Sequence, residues 1–98
     1  MRLSDVRPEV AAFAIAMEEQ LRVNDYKGGW RNCRLATLLG RINDELDELK
    51  SAVGEHMEEW DGHNVVKEAA DVANFALMVA DICVLGIARS KYAPEGGT

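Results

Sequence analysis

The sequence predicts an all-α protein with one helical domain, and three observations support this prediction. The 98-residue chain contains only two prolines, its apolar residues recur at helical spacing in three segments, and it shows little of the alternation typical of strands. With 48% hydrophobic and 29% charged residues, its composition is typical of a folded domain. We expect a helical domain over residues 1–90 and a flexible C-terminal tail over residues 91–98.

The first helix is predicted to begin near Ser4 or Asp5, with Pro8 in its first turn, where proline is well tolerated. Gly28 and Gly29 follow it and suit a left-handed turn after a helix. The apolar positions that recur at helical spacing are Ala12, Phe13, Ala16, Met17 and Leu21.

The second helix has Asn32 as its candidate N-cap and Gly54 as its expected end. Residues 55–62 are then expected to form a loop or one short helical turn. The apolar stripe of this helix follows i, i+3, i+4, i+7 spacing and consists of Leu35, Leu38, Leu39, Ile42, Leu46, Leu49 and Val53.

The third helix is predicted from His63 or Asn64 to about Leu85 or beyond, and it is apolar on almost every side. Between Ala69 and Ala80 only two residues are polar. A helix of this kind has to be surrounded, and three helices cannot easily surround one of their own members. We therefore expect a homodimer or a dimer of dimers, in which the three main helices of each chain are completed into a four-helix-bundle-type core.

Charge and hydropathy narrow the possible partners and locations. The net charge of −6 disfavours a nucleic acid or an anionic membrane surface as partner. The apolar stretch from Val72 to Ala88 is interrupted by Asn74 and Asp81, so we do not expect it to span a membrane. Cys33 and Cys83 show no paired or metal-type spacing, and no signal peptide is recognisable, so we expect a cytoplasmic protein.

Two acidic pairs are the candidate functional residues. Glu45 and Glu48 lie three residues apart on the second helix, and Glu68 and Asp71 have the same spacing on the third. If these helices pack antiparallel, the two pairs face each other, and four carboxylates repel strongly unless a cation lies between them. Mg²⁺, or Mn²⁺ in its place, suits such oxygen ligands.

Three of these residues also fit roles that need no metal. Glu45 and Glu48 taken alone fit a solvated acidic helix face, and Glu68 near a helix start favours the macrodipole. Asp71 discriminates between the alternatives, because an unpaired carboxylate within an apolar helix segment is costly.

The order and gap of these pairs resemble a known family. Glu45-x-x-Glu48, nineteen intervening residues and Glu68-x-x-Asp71 resemble the MazG-like all-α nucleotide pyrophosphohydrolases, a superfamily that includes dimeric dUTPases and dCTP pyrophosphatases. The segment Lys27-Gly-Gly-Trp30 and the stretch from Glu68 to Asp81 are similar to short single-domain members. The similarity covers roughly residues 13–81.

The resemblance implies Mg²⁺-dependent hydrolysis of a nucleoside triphosphate to a monophosphate and pyrophosphate. By motif position, the catalytic and metal-binding residues would be Glu45, Glu48, Glu68 and Asp71. Asn74 would bind the sugar or a phosphate, Lys27 would reach a phosphate, and Trp30 would stack on the base. Each of these three has a structural alternative: an amide bonded to backbone, a solvated lysine, and a core anchor beneath the glycine turn.

Two further functions stay open from the sequence. One is a non-enzymatic helical dimerisation or regulatory module whose acidic pairs are surface residues, and the other is a related fold that binds nucleotide without turnover. His56, Trp60 and His63 lie between the second and third helices, where they are candidates to line a pocket.

Overall fold

The computed structural model describes residues 1–84, in which three α-helices follow one another and no strand occurs. Helix α1 comprises Pro8–Val23, helix α2 comprises Leu35–Glu58, and helix α3 comprises Gly62–Val84. The predicted all-α class is confirmed for this part of the chain. The predicted tail over residues 91–98 lies outside the described residues, as does any continuation of the third helix. None of the described helices has the length and apolar character needed to cross a membrane.

The start of α1 differs from the prediction. Leu3–Asp5 form a separate 3₁₀ turn, and α1 itself begins at Pro8, which occupies the first helical position. A residue before proline is driven out of the helical region by the proline ring, and Arg7 is accordingly extended, with φ −57° and ψ 143°. The ring of Pro8 therefore sets the helix boundary, and the predicted start near Ser4 or Asp5 was too early.

The end of α1 confirms part of the predicted glycine turn. After the cap residue Asn24, Asp25–Lys27 form a 3₁₀ turn, and the amide of Gly28 donates to the Asp25 carbonyl at 3.1 Å. Gly28 has a φ of +87°, a conformation that residues with a Cβ atom rarely adopt. The turn leads the chain from α1 towards Trp30.

Helix α2 is longer at its C-terminal end than predicted. Its N-cap is Arg34 and not Asn32, and the helix passes through Gly54 to Glu58. An interior glycine costs a helix only about 1 kcal/mol. Ala52 is buried, so the helix still packs in this region, and Gly54 does not end it.

Residues 59–61 connect α2 to α3, and Asp61 supplies a cap that the sequence did not predict. Its Oδ1 accepts a hydrogen bond from the Asn64 amide at 3.1 Å, which satisfies one of the free N–H groups at the start of α3. His56 Nδ1 accepts from the Asp61 amide at 3.3 Å, and the His56 ring lies 4.5 Å from that of Trp60. These residues stabilise the connection between the helices.

Helices α2 and α3 form an antiparallel hairpin, and α1 packs on another side of α3. Two contacts show the antiparallel direction. Arg41 of α2 lies beside Phe75 of α3. Glu45, which comes later on α2, lies beside Glu68, which comes earlier on α3. The buried apolar residues among residues 1–84 are few and mostly small: Leu38, Ala52 and Ala70. The described chain therefore encloses only a small core of its own.

Candidate metal centre and adjoining cavity

The antiparallel hairpin brings three of the four predicted metal ligands together. One carboxylate oxygen from each of Glu45, Glu48 and Glu68 lies within 4.8 Å of the others. Glu45 and Glu68 are each only 9% exposed, whereas Glu48 is more open to solvent. Glu45 and Glu48 lie in the middle of α2, and Glu68 lies in the first half of α3. Because the connection between these helices is short, α3 runs back along α2 and brings Glu68 beside the other two glutamates.

Two oxygens in this cluster have no hydrogen-bond donor within residues 1–84. They are Oε2 of Glu45 and Oε2 of Glu68, and both are buried. Their other oxygens are paired, because Glu45 Oε1 lies 3.4 Å from Arg41 Nη2 and Glu68 Oε1 lies 3.2 Å from Lys67 Nζ. A buried acceptor without a donor is costly. A bound cation would satisfy both oxygens at once, so these residues fit a metal ion.

The pKa of Glu45 shows how unfavourable the ionised cluster is. Burial raises this pKa most, and the charges of Glu48 and Asp71 together with a hydrogen bond to Glu48 raise it further. Arg41 offsets only part of this effect. The raised pKa means that Glu45 holds a proton more readily than an isolated carboxyl group would.

Asp71 lies beside the three clustered glutamates and makes a separate contact. Its Oδ2 accepts a hydrogen bond from Lys67 Nζ at 3.4 Å. Burial raises the pKa of Asp71, Lys67 lowers it and Glu68 raises it. The structure thus gives Asp71 a partner, Lys67, that was not predicted, and it does not place Asp71 among the three carboxylates that lie within 4.8 Å of one another.

A cavity of about 440 Å³ adjoins the cluster, and all three predicted substrate-binding residues line it. Its charged and polar lining includes Lys27, Arg41, Glu45, Glu48, Lys67, Asp71 and Asn74, and its apolar lining includes Trp30, Leu38, Phe75 and Met78. The volume lies in the range of small-molecule sites. Glu68 instead lines a more open groove of about 430 Å³ that shares Glu48 with the cavity. His56, Trp60 and His63 do not belong to the cavity lining.

Trp30 is anchored by its indole. Nε1 donates to Asp81 Oδ2 at 3.1 Å, and Arg31 Nε lies 3.4 Å from the same oxygen. These contacts tie the segment after the glycine turn to α3, and the bond to Asp81 spans fifty-one positions of the chain. The ring is half-buried and forms part of the cavity wall. The anchor is therefore present, and stacking of Trp30 on a base stays a prediction.

Replacing this indole tests the anchor. We expect Trp30→Phe to lower the free energy of unfolding by about 1 kcal/mol or more, because the Asp81 carboxylate loses a donor. Trp60→Phe is the matched control, since Trp60 is 85% exposed, and it should change stability by less than about 0.5 kcal/mol. Urea unfolding of both variants measures the difference. Equal effects would show that the Trp30–Asp81 bond does not stabilise the fold.

Asn74 is 4% exposed and combines a structural bond with a free acceptor. Its Nδ2 donates to the Met17 carbonyl at 2.9 Å and so links α3 to α1. Its Oδ1 is buried and has no hydrogen-bond partner among the described residues. The backbone alternative considered from the sequence is thus observed, while Oδ1 remains available to accept from a ligand hydroxyl.

Arg41 and Lys67 are site residues that the sequence analysis did not single out. The guanidinium carbon of Arg41 lies 5.4 Å from the centroid of the Phe75 ring, which helps to hold this side chain over the cavity. Both cations precede an acidic residue of the site by four positions, Arg41 before Glu45 and Lys67 before Asp71. This i, i+4 spacing was a usable signal, because it places a cation and a carboxylate on one helix face.

Comparison with known proteins adds no relative: no family model, curated protein or solved structure matches the chain. The class of this protein therefore follows from its fold and its candidate site alone. Over residues 1–84 the protein is all-helical, and its α2–α3 hairpin carries a carboxylate cluster beside a cavity that basic and aromatic side chains line.

Proposed function

We propose that this protein is a Mg²⁺-dependent nucleotide pyrophosphohydrolase of MazG-like type, which cleaves a (d)NTP to (d)NMP and pyrophosphate. The observation that supports it is the cluster of Glu45, Glu48 and Glu68, in which two buried oxygens lack donors from the described part of the chain. An acidic face that merely contacts solvent would not bury these oxygens. Carboxylate oxygens are the ligand type that a hard divalent cation prefers, and this supports the proposed metal site.

Glu45, Glu48, Glu68 and Asp71 would hold the metal, and Mn²⁺ would serve in place of Mg²⁺. A bound divalent ion would neutralise phosphate charge and lower the pKa of a bound water. A carboxylate oxygen that does not bind the metal is then suited to accept a proton from the attacking water.

The cavity supplies groups for the rest of the nucleotide. Lys27, Arg41 and Lys67 all line it and provide positive charge for the phosphates. Trp30 and Phe75 provide aromatic surface in the same cavity, which suits a base. Basic side chains beside a carboxylate cluster suit a substrate whose phosphates bind both a metal ion and these side chains. A neutral ligand would use neither.

Product analysis tests the reaction class. We expect Mg²⁺-dependent release of pyrophosphate and a monophosphate from at least one of the eight common nucleotides, because the metal would lie against the phosphate chain. Chromatography of the products after long incubation with micromolar protein measures it. Orthophosphate as the sole product would contradict the proposed reaction.

A matched pair of variants ties activity to the cluster. Glu45→Gln should abolish Mg²⁺-dependent turnover, whereas Glu58→Gln, an exposed glutamate at the end of the same helix, should keep it. A thermal-shift scan with Mg²⁺ should show stabilisation of the parent and not of Glu45→Gln. A non-enzymatic dimerisation module would not respond to the metal.

We also propose that two copies of the chain associate through α2. Leu35, Leu39, Leu46 and Val53 are between 38% and 53% exposed, and Ile42 and Leu49 lie between them. Their spacings alternate strictly between four and three residues, the pattern by which one helix packs against another. The face of α2 that contacts α3 carries Leu38, Glu45 and Ala52 instead.

A second copy is the occupant we propose for this seam. In a twofold dimer the same stripe packs on itself, so one sequence pattern provides both sides of the interface. The two hairpins then form a four-helix core, which supplies buried apolar surface beyond the small core that residues 1–84 of one chain enclose. A dimer of dimers is compatible with the same contact.

A further inference from the structure

Lys67 occupies the position where metal and substrate would meet. Its Nζ lies 3.2 Å from Glu68 Oε1 and 3.4 Å from Asp71 Oδ2, so it bridges the acidic pair of α3. These oxygens belong to two of the four proposed metal ligands. Lys67 precedes Glu68 directly and lies one helical turn before Asp71, so its long side chain reaches both carboxylates.

The bridge is not a buried structural pair. The Lys67 side chain is 49% exposed, whereas the Glu68 and Asp71 side chains are 12% and 17% exposed. Lys67 also lines the cavity beside the cluster. A half-exposed lysine on a flexible stem can leave its carboxylates without being pulled from a packed core.

We propose that Lys67 is an exchangeable counter-ion, which neutralises Glu68 and Asp71 when no metal is bound and pairs with nucleotide phosphate once metal replaces it. The inference rests on the proposed metal site and extends it. Oε2 of Glu68, which has no donor within residues 1–84, would bind the metal while Lys67 holds Oε1 of the same carboxylate, so the two cations repel each other and compete for one negative charge. Metal binding therefore competes with Lys67, and the released ammonium group remains in the cavity that would hold the phosphates.

The exchange predicts opposite effects of one substitution on two ligands. Lys67→Gln removes the competing cation, so Mn²⁺ alone should bind roughly three- to tenfold more tightly than to the parent. With saturating Mn²⁺ present, inorganic pyrophosphate should bind the variant more weakly by a similar factor, because one of its cationic partners is missing. Titration calorimetry measures both affinities without requiring turnover.

Two matched variants separate the exchange from simpler effects. Lys67→Arg keeps a cation at this position and should bind Mn²⁺ within about twofold of the parent. Lys50→Gln makes the same change in net charge at an exposed position of α2 that lines neither the cavity nor the adjoining groove, and it should also stay within about twofold. If Lys50→Gln tightened Mn²⁺ binding as much as Lys67→Gln does, the change in net charge alone would explain both results. That outcome would overturn the inference.

The remaining outcomes distinguish this inference from the proposed function. If the parent binds Mn²⁺ and Lys67→Gln binds it equally or more weakly, the exchange is wrong and the metal site stands. Unchanged or tighter pyrophosphate binding by Lys67→Gln would likewise overturn the second half of the exchange. If neither the parent nor any variant binds Mn²⁺, the metal site itself is wrong, and the proposed function fails together with the inference.

Discussion

Asp71→Asn should lower the proposed pyrophosphohydrolase activity at least about a hundredfold without destabilising the metal-free protein. The loss of activity is expected because a neutral amide is a poor ligand for Mg²⁺. The unchanged stability is expected from the electrostatics of the site. Substitutions within an apolar helix segment usually destabilise the protein. A variant that loses activity but keeps its stability is therefore a result that the proposed site specifically predicts.

The direction of the Asp71 pKa shift indicates whether the ionised side chain stabilises or destabilises the metal-free protein. Burial raises the pKa of Asp71, and Lys67 does not fully offset it. An acid with a raised folded-state pKa costs stability above its unfolded-state pKa, and the cost grows as the pH rises towards the folded-state value. At neutral pH, replacing the ionised Asp71 by an amide of the same shape removes this cost, although it also removes the ion pair with Lys67. The metal-free variant should therefore melt at the parent temperature or slightly above it.

Melting curves with and without Mg²⁺ measure this expectation, and Mg²⁺ should stabilise the parent more than the variant. Leu38→Ala is the control for a purely structural change. Leu38 is 2% exposed, so its loss should cost about 2–4 kcal/mol with or without metal, by leaving a cavity. If Asp71→Asn unfolds the metal-free protein while Glu45→Gln and Glu68→Gln keep the Mg²⁺ response, Asp71 is a structural acceptor and the proposed site is wrong.

Leu39→Asp should separate the proposed dimer into single chains. Leu39 is 53% exposed in the chain, so in a monomer the change would alter stability by only about 0.5 kcal/mol. In a twofold interface it buries an unpaired carboxylate from each copy. At about 2–3 kcal/mol per copy, and so about 4–6 kcal/mol per dimer, the dimer should be weakened roughly a thousand- to ten-thousandfold.

Light scattering after gel filtration measures the masses. The parent should show two or four times the 10.8 kDa of one chain, and Leu39→Asp should shift towards the single-chain mass and melt at a lower temperature. Ile15→Asp is the matched control, because Ile15 is 62% exposed on α1, away from the seam. A parent that elutes at the mass of one chain at micromolar concentration would refute the dimer.

The helix boundaries show which features of this fold are predictable from sequence and which are not. Helical spacing predicted three helices because the period of apolar residues reports directly on which face is buried. The predicted start near Ser4 or Asp5, the predicted N-cap at Asn32 and the predicted end at Gly54 were wrong, because local signals compete with packing. Gly54 resembles a helix end in the sequence, yet the helix continues past it.

The candidate site shows a similar division. The spacing of the four acidic residues predicted that the two pairs face each other if α2 and α3 pack antiparallel, and the structure shows that they do pack antiparallel. Two things were not accessible: which carboxylate oxygens lack donors within residues 1–84, and that Lys67, whose i, i+4 spacing to Asp71 is visible in the sequence, also contacts Glu68. Both depend on side-chain positions to within an ångström or two, which a spacing of residues does not specify.

The sequence by itself determined that the chain is helical, that α2 and α3 each carry a pair of carboxylates, and that these pairs can face each other. Only the tertiary structure decided that buried oxygens of Glu45 and Glu68 lack donors within residues 1–84, that Trp30 bonds to Asp81 across the fold, and that the leucine seam of α2 is left uncovered by the described helices. The spacing of apolar and acidic residues along a helix depends on that helix alone, so it can be recognised in the sequence. Pairing between side chains and coverage of a face depend on how separate helices are placed, and only the folded chain shows that placement.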